Sequence, residues 1–341
     1  MLTHITRPDG LVSTYAGPPN QPVLVREARI RTARPHQERV ESNVRKAIAR
    51  GYGQGLGERY RPWITIRRGL VSPRSNIGVY CTAIHARPLH LLSRLEHTAA
   101  ILAGWLGARE AREGFPMWPN EHLHPDAASP EAPPAVARAV VPGLLDIARD
   151  AGIKHGNYPG TKIPYIATAD FLLRSPAGRK SALVLVPVKP YSAIHERSRT
   201  QVRTLERLEL QRRYANAIGA RYIEYTDATC SPLLLSQLEW FSPTHSQLRN
   251  LGHREELHRF SEHFVSVQRD LSIHDAKGVA GQRSGIADSR MCQRLFLLGA
   301  WLGLINIDFE HHVVMTERAR IDTEGKKERL AEHLFGPKES Q

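Results

Sequence analysis

The chain has 341 residues, of which 47 are lysine or arginine and 34 aspartate or glutamate, for a formal net charge of +13. That length can bury two cores, and the charge points to a polyanionic partner, nucleic acid above all, the plain alternative being a basic soluble protein with no such partner. The three cysteines, Cys81, Cys230 and Cys292, are scattered with no Cys-x-x-Cys spacing, which argues against a zinc ribbon and a disulfide framework and fits a reducing compartment.

Met1 to Pro8 lacks a hydrophobic signal core, and no run approaches the ~18 apolar residues of a membrane span, so a soluble cytoplasmic protein with no membrane segment is expected. Residues 1–37 are turn-prone (Pro8, Gly10, Gly17, Pro18, Pro19, Pro22, Pro35) and expected to be mobile. A short basic helix is predicted from Glu38 to Arg50, stopped at Gly51. The run Gly51-Tyr-Gly-Gln-Gly-Leu-Gly57 has no Gly-Lys-Ser/Thr and no preceding strand. It reads as a flexible arm along DNA rather than a phosphate-cradling loop. Basic residues concentrate between Arg26 and Arg74, as expected of a face that tracks phosphates without reading sequence.

Pro88 to Gly107 is predicted to be a helix, with Leu91, Leu92, Leu95, Ala99, Leu102 and Leu106 on one seam. A Pro/Ala-rich loop spans Pro119 to Pro134, and a helix broken near Pro142 runs to Ala151. Alternation over Tyr165 to Arg174 predicts a strand carrying Asp170. A turn at 175–180 leads into an apolar run, 181–190, that ends on Lys189. A helix from Thr200 to Ile218, stopped by Gly219, and a strand over Arg221 to Thr226 complete an α/β order. Beyond Asp227 the pattern is helical, over 232–241, 253–271 and from a cap at Asp288 or Ser289 to Trp301, with Gly303 as stop. Ile305, Ile307 and Phe309 then alternate before a turn at Glu310 to His312 and a return through Val313 to Met315. Helices followed by such a hairpin resemble a winged helix.

An acid and a lysine on neighbouring strands suit metal-dependent cleavage of a phosphodiester. The carboxylate holds a hard cation through oxygen, and the ammonium orients or deprotonates the attacking water. By itself the pair Asp170 and Lys189 also describes an ordinary hairpin with two solvated charges. Glu96 lies one turn beyond Leu92 on the flank of the apolar seam, and there too an ordinary flanking glutamate is the plain alternative. Glu206 and Glu209 read as solvated helix charges, and His97, His311 and His312 as structural or DNA-proximal side chains.

Seven ordered blocks change the balance: Arg50 to Ile66, Leu91 to Glu96, Arg112 to Pro116, Gly152 to His155, Thr168 to Leu172, Val188 to Pro190 and Leu205 to Tyr214. In this order they resemble the TnsA family, the endonuclease subunit of heteromeric cut-and-paste transposases, densely from Ala49 to Asp227 and thinly beyond. The resemblance implies a restriction-endonuclease-like (PD-(D/E)xK) core over 38–227, a winged-helix-like domain over 228–325 and a tail over 326–341. It implies Glu96, Asp170 and Lys189 as catalytic residues. The ligands of Mg²⁺, for which Mn²⁺ can substitute, would be Glu96, Asp170 and the backbone carbonyls of Val188 and Pro187.

It further implies a subunit that nicks the 5′ strands at transposon ends in double-stranded DNA on a bacterial nucleoid. A TnsB-type transposase would cut the 3′ ends, and a TnsC-type ATPase would dock on the C-terminal domain. The chain departs from the family at Pro187, where TnsA proteins carry glutamine two residues before the lysine. Proline supplies no side-chain ligand and no ladder N–H, which predicts an edge strand or a bulge. If Arg174 faces Ser181 in a simple hairpin, Pro187 faces Thr168. Two other readings stay open: an assembly module with weak or absent cutting, and a free-standing restriction or repair nuclease.

Overall fold

The computed structural model describes residues 21–66, 77–251 and 254–339. The segments 1–20 and 67–76, to which the expected mobile start and part of the basic arm belong, lie outside the described residues. The first helix, α1 (Gln21–Ala49), starts well before Glu38 and runs through Pro35. Gly51, Gly53, Gly55 and Gly57 then all take positive φ, between +55° and +90°. A Cβ on Gly53 would collide with the Pro116 side chain, and one on Gly55 with the Arg59 carbonyl. The glycines thus let this turn close against the folded body, where a side chain would hold it off.

Strands β1 (Gly78–Tyr80) and β2 (Leu89–Leu91) pair antiparallel, so the predicted helix at Pro88 begins instead at α2 (Arg94–Trp105). Strand β3 (Glu110–Met117) follows. The Pro/Ala-rich segment forms a small ribbon of β4 (His122–Leu123) and β5 (Val140–Val141) around α3 (Pro134–Ala137), and leads to α4 (Leu144–Asp150). Next come β6 (Ala167–Arg174), β7 (Leu183–Val186), α5 (Tyr191–His195), α6 (Gln201–Ala217) and β8 (Arg221–Tyr222).

The central sheet has the order β3-β6-β7-β8, antiparallel except for the β7–β8 pair, which α6 connects in parallel. This is a mixed α/β architecture. One face of the sheet packs Leu172, Leu185 and Met117 against Leu144, Leu210 and Tyr214 of α4 and α6. The other packs Phe171, Val184 and Val186 into a core that takes in α2 and the C-terminal helices.

Those helices are α7 (Pro232–Phe241), α8 (His245–Leu251), α9 (Glu255–Val267), α10 (Ile273–Arg283) and α11 (Ser289–Leu302). Their ends follow capping chemistry: Ser231 and Asp288 accept from the first-turn amides of α7 and α11, and Gly303 at φ +80° stops α11. Segment 326–339, expected as a tail, contains α12 (Lys326–Phe335), with Phe335 fully buried.

The expected hairpin over 305–315 forms no β ladder. Ile305, Ile307 and Phe309 are buried, so their alternation reports core packing. The backbone partners lie elsewhere: Asp308 N donates to the Arg320 carbonyl at 2.8 Å, and Ile273 N and His274 N donate to the carbonyls of Glu317 and Met315. The returning segment satisfies the free amides at the start of α10 and does not pair with 305–309.

Candidate active site

The ladder between β6 and β7 ends at the pair Phe171↔Val186. One residue further, the strands part and the Asp170 side chain replaces a backbone acceptor. Its Oδ2 takes the Val188 N–H at 2.7 Å and the Lys189 ammonium at 2.7 Å, and the same ammonium donates to the Val188 carbonyl at 2.8 Å. Acid and lysine thus meet at the end of two central strands, half-buried, with 19% and 33% of their side chains exposed.

Across the sheet on the other side, the register Glu113↔Phe171 and Phe115↔Ala169 sets Gly114 opposite Asp170. Gly114 has φ +53°, and the strand switches faces there: Ala111 faces the α2 core, whereas Phe115 and Met117 face the α6 core. Strand β6 switches at the same level, between Ala169 and Phe171. The switch leaves Asp170 at the open end between the two cores.

Glu96 comes from the first turn of α2. Ser93 is the N-cap, its Oγ accepting from Glu96 N at 3.1 Å. In return the Glu96 carboxylate accepts from Leu92 N at 2.8 Å and from Ser93 Oγ at 3.1 Å. This is a form of the reciprocal capping box, and it fixes the carboxylate close enough to Asp170 and Lys189 to respond to both charges. Burial, then the neighbouring Asp170, pushes the Glu96 carboxyl up to about 7, against smaller opposing effects from its hydrogen bonds and Lys189.

A carboxyl whose folded pKa lies above its unfolded value contributes full stability below about pH 4.5 and loses it as the pH rises to about 7. In chelator, Glu96→Gln is therefore expected to be more stable than wild type at pH 8, by at most about 3 kcal/mol, with the gap closing by pH 4. Urea denaturation at the two pH values reads this, and a gap that does not change with pH would contradict the assignment.

Among the described residues no group of three or more His, Cys, Asp or Glu is gathered as a metal cluster. A cation here would rest on two carboxylates and backbone oxygen. That donor set fits a hard cation: two carboxylates, close enough for one to raise the other's pKa, gain from a positive ion between them.

Pro187 departs from expectation in three ways. It does not mark an edge, because β7 has neighbours on both sides. Its carbonyl accepts from Tyr225 N at 2.9 Å, which turns it toward the segment after β8 and away from Asp170, so it is not a ligand candidate. The observed pair Arg174↔Leu183 also shifts the register by two residues, which sets Pro187 opposite Asp170 and not Thr168. Val188, by contrast, turns both its N–H and its carbonyl toward the Asp170–Lys189 pair.

The other weighed side chains are engaged elsewhere. Glu206 pairs with Arg203, and Glu209 with Arg212 and Arg213. His311 Nδ1 lies 2.8 Å from Asp308, and His97 stacks on Tyr80 with centroids 4.0 Å apart.

No protein-family model matches the chain. It is similar to a curated transposition protein. Over 201 residues it is 29% identical to the transposon Tn7 transposition protein TnsA of Escherichia coli, covering 59% of this chain and 62% of that protein's length. No helix among the described residues is long and apolar enough to cross a membrane.

Sequence reasoning missed the charged strand β3 and the cavity that adjoins Asp170 and Lys189. The cavity is lined from β6, α6 and the 155–159 loop. Two resembling blocks, Gly152 to His155 and Leu205 to Tyr214, bracketed its walls, but nothing in them marked a concavity.

Proposed function

We propose that the protein is a metal-dependent DNA endonuclease subunit of a heteromeric transposase, nicking the 5′ strands at transposon ends. One observation carries this reading: Asp170, Lys189 and Glu96, drawn from two strand ends and a helix, converge in a chain similar to a transposition protein. Asp170 and Glu96, with the Val188 carbonyl, would hold magnesium or manganese, which supplies charge neutralisation at the phosphate and a more acidic water.

The chain's own groups do the positioning. Lys189 is clamped between Asp170 Oδ2 and the Val188 carbonyl, which leaves one ammonium proton to orient the water or meet charge developing on the phosphate. Water oxygen attacks phosphorus, the bond to O3′ breaks, and the products are a 5′ phosphate and a 3′ hydroxyl. Arg203 and Arg207 of α6 line the adjoining cavity and place positive charge beside the strand to be cut.

In this reading a TnsB-type recombinase cuts the 3′ strands, and a TnsC-type ATPase docks on the helices after residue 227. The test is strand-specific nicking of end-containing DNA by the complete set of subunits with magnesium. Cutting confined to the 5′ strand is expected, and its absence with all partners present would overturn the proposal.

The reading as an assembly module with little cutting draws on one specific observation: position 187 offers neither side chain nor free carbonyl. The two readings part at Pro187→Gln, which adds a neutral oxygen two residues before Lys189. The nuclease reading expects the wild type to cut and the variant to need less magnesium for half-maximal cutting. A wild type inert at every magnesium or manganese concentration, beside a variant that cuts, would favour the assembly module.

A further inference from the structure

We propose that the cavity beside Asp170 and Lys189 receives one unstacked nucleotide of the substrate strand, recognised through the Gln211 carboxamide. This rests on the endonuclease reading and adds to it how the strand is held. The cavity measures about 430 Å³, within the range of about 300–1,000 Å³ typical of small-ligand sites. Met117, Leu144 and Leu208 give it an apolar lining, of the kind that accepts a flat base.

Gln211 also lines it. This residue is 5% exposed, and its Oε1 has no hydrogen-bond partner. His155 Nδ1, on the same cavity, has none either. Buried polar atoms are ordinarily paired, and leaving one without a partner is costly. Here the wall of an apolar space carries a carboxamide and an imidazole, each with a buried polar atom that no protein group engages, a chemistry suited to the hydrogen-bonding edge of a nucleobase. Burial depresses the His155 pKa, which disfavours a charge at the base site.

The rim supplies the remaining contacts. Tyr165 is 43% exposed and braced edge-on by Tyr158, with centroids 5.1 Å apart. Its exposed ring offers a surface for stacking, which favours a base without selecting one. Arg203 is tied to the Lys154 carbonyl and to Glu206, whereas Arg207 has no carboxylate partner among the described residues. Arg207 and Lys189 can take the phosphates on either side of the nucleotide. A phosphate group alone would use the cations and leave Gln211 and the apolar lining unused.

Two measurements on the full-length protein test this. Titrated with the four deoxynucleoside 5′-monophosphates and with inorganic phosphate, it is expected to bind at least one monophosphate about tenfold more tightly than phosphate. Gln211→Met, close to isosteric, is expected to erase that difference and leave phosphate binding unchanged. Equal binding of phosphate and monophosphates, or no monophosphate binding by wild type, overturns the proposal.

In the second measurement, 2-aminopurine is placed in turn at the positions flanking the cut, and one position is expected to brighten on binding. If none brightens in DNA that the assembled system cuts, the pocket is refuted and the endonuclease reading stands. A bright position in DNA that is never cut in magnesium refutes the endonuclease reading and leaves the pocket in place.

Discussion

Lys189→Ala is expected to lose 5′-strand cutting by on the order of 10²–10⁴-fold, the scale of removing one positioned proton donor or charge-stabilising group from an active site. Stability should barely move. The Lys189 side chain is one-third exposed and its ion pair with Asp170 faces the cavity, so the pair contributes about 1 kcal/mol or less. Asp170 keeps its bond from Val188 N in the variant. Asp170→Ala should be as inactive or more so, and no rise in magnesium should rescue it, because the donor set then retains a single carboxylate. The decisive comparison is strand-resolved cutting by the assembled system, beside a denaturation curve of each variant. A Lys189→Ala protein that nicks the 5′ strand at the wild-type rate would remove this lysine from the mechanism.

The strands that carry this pair were legible in the sequence because their chemistry is ordinary. Alternation over 165–174 and the apolar run after 181 gave the order β6, β7, and the 3.6-residue period and Gly219 bounded α6. Register was harder to read. Ser175 N closes the loop on the Ala182 carbonyl at 3.0 Å, so the turn is two residues longer than its Pro and Gly content suggests. The wing failed because a period of two reports which side chains are buried, not where backbone amides bond; at 305–309 those are separate facts.

Strand β3 was hidden for the opposite reason. Its inward positions include Glu110, Arg112 and Glu113 at 5%, 1% and 1% exposure, and Gly114 and Pro116 lie within it. Neither apolar alternation nor β propensity marks such a segment. Charge can be buried there only because each group meets its opposite, and those partners come from Arg87, Asp126 and Arg174, distant in sequence. The convergence of Glu96 on Asp170 was likewise beyond local pattern, since it depends on how α2 docks on the sheet.

Arg112 is where the fold is expected to be most vulnerable. Its guanidinium, 1% exposed, donates to Glu110 at 2.8 Å, to Asp126 at 2.7 Å and to the Pro125 carbonyl at 3.0 Å. Arg174 joins the same two acids, and Glu110 also accepts from Gly57 N, which ties the glycine turn to the sheet edge. Burial by itself would raise the Glu110 carboxyl, but the bond and charge of Arg112, with help from Gly57 N and Arg174, hold it down at about 2.

Arg112→Met fills similar space and leaves two buried acids sharing one arginine. The expected loss is about 3–5 kcal/mol at neutral pH, the scale of breaking a buried ion pair from one side. The sign with pH follows from the lowered pKa: the Glu110 contribution is complete above about pH 4.5 and lost as pH falls through about 2. The gap between wild type and variant should therefore be widest at pH 7 and narrow toward pH 3. Replacing Glu110 with Gln in the same chain should recover part of the loss, because one uncompensated charge is gone. Urea denaturation at the two pH values measures both effects. A loss below about 1 kcal/mol, or one that is the same at both, would mean that the network is not what holds β3 in place.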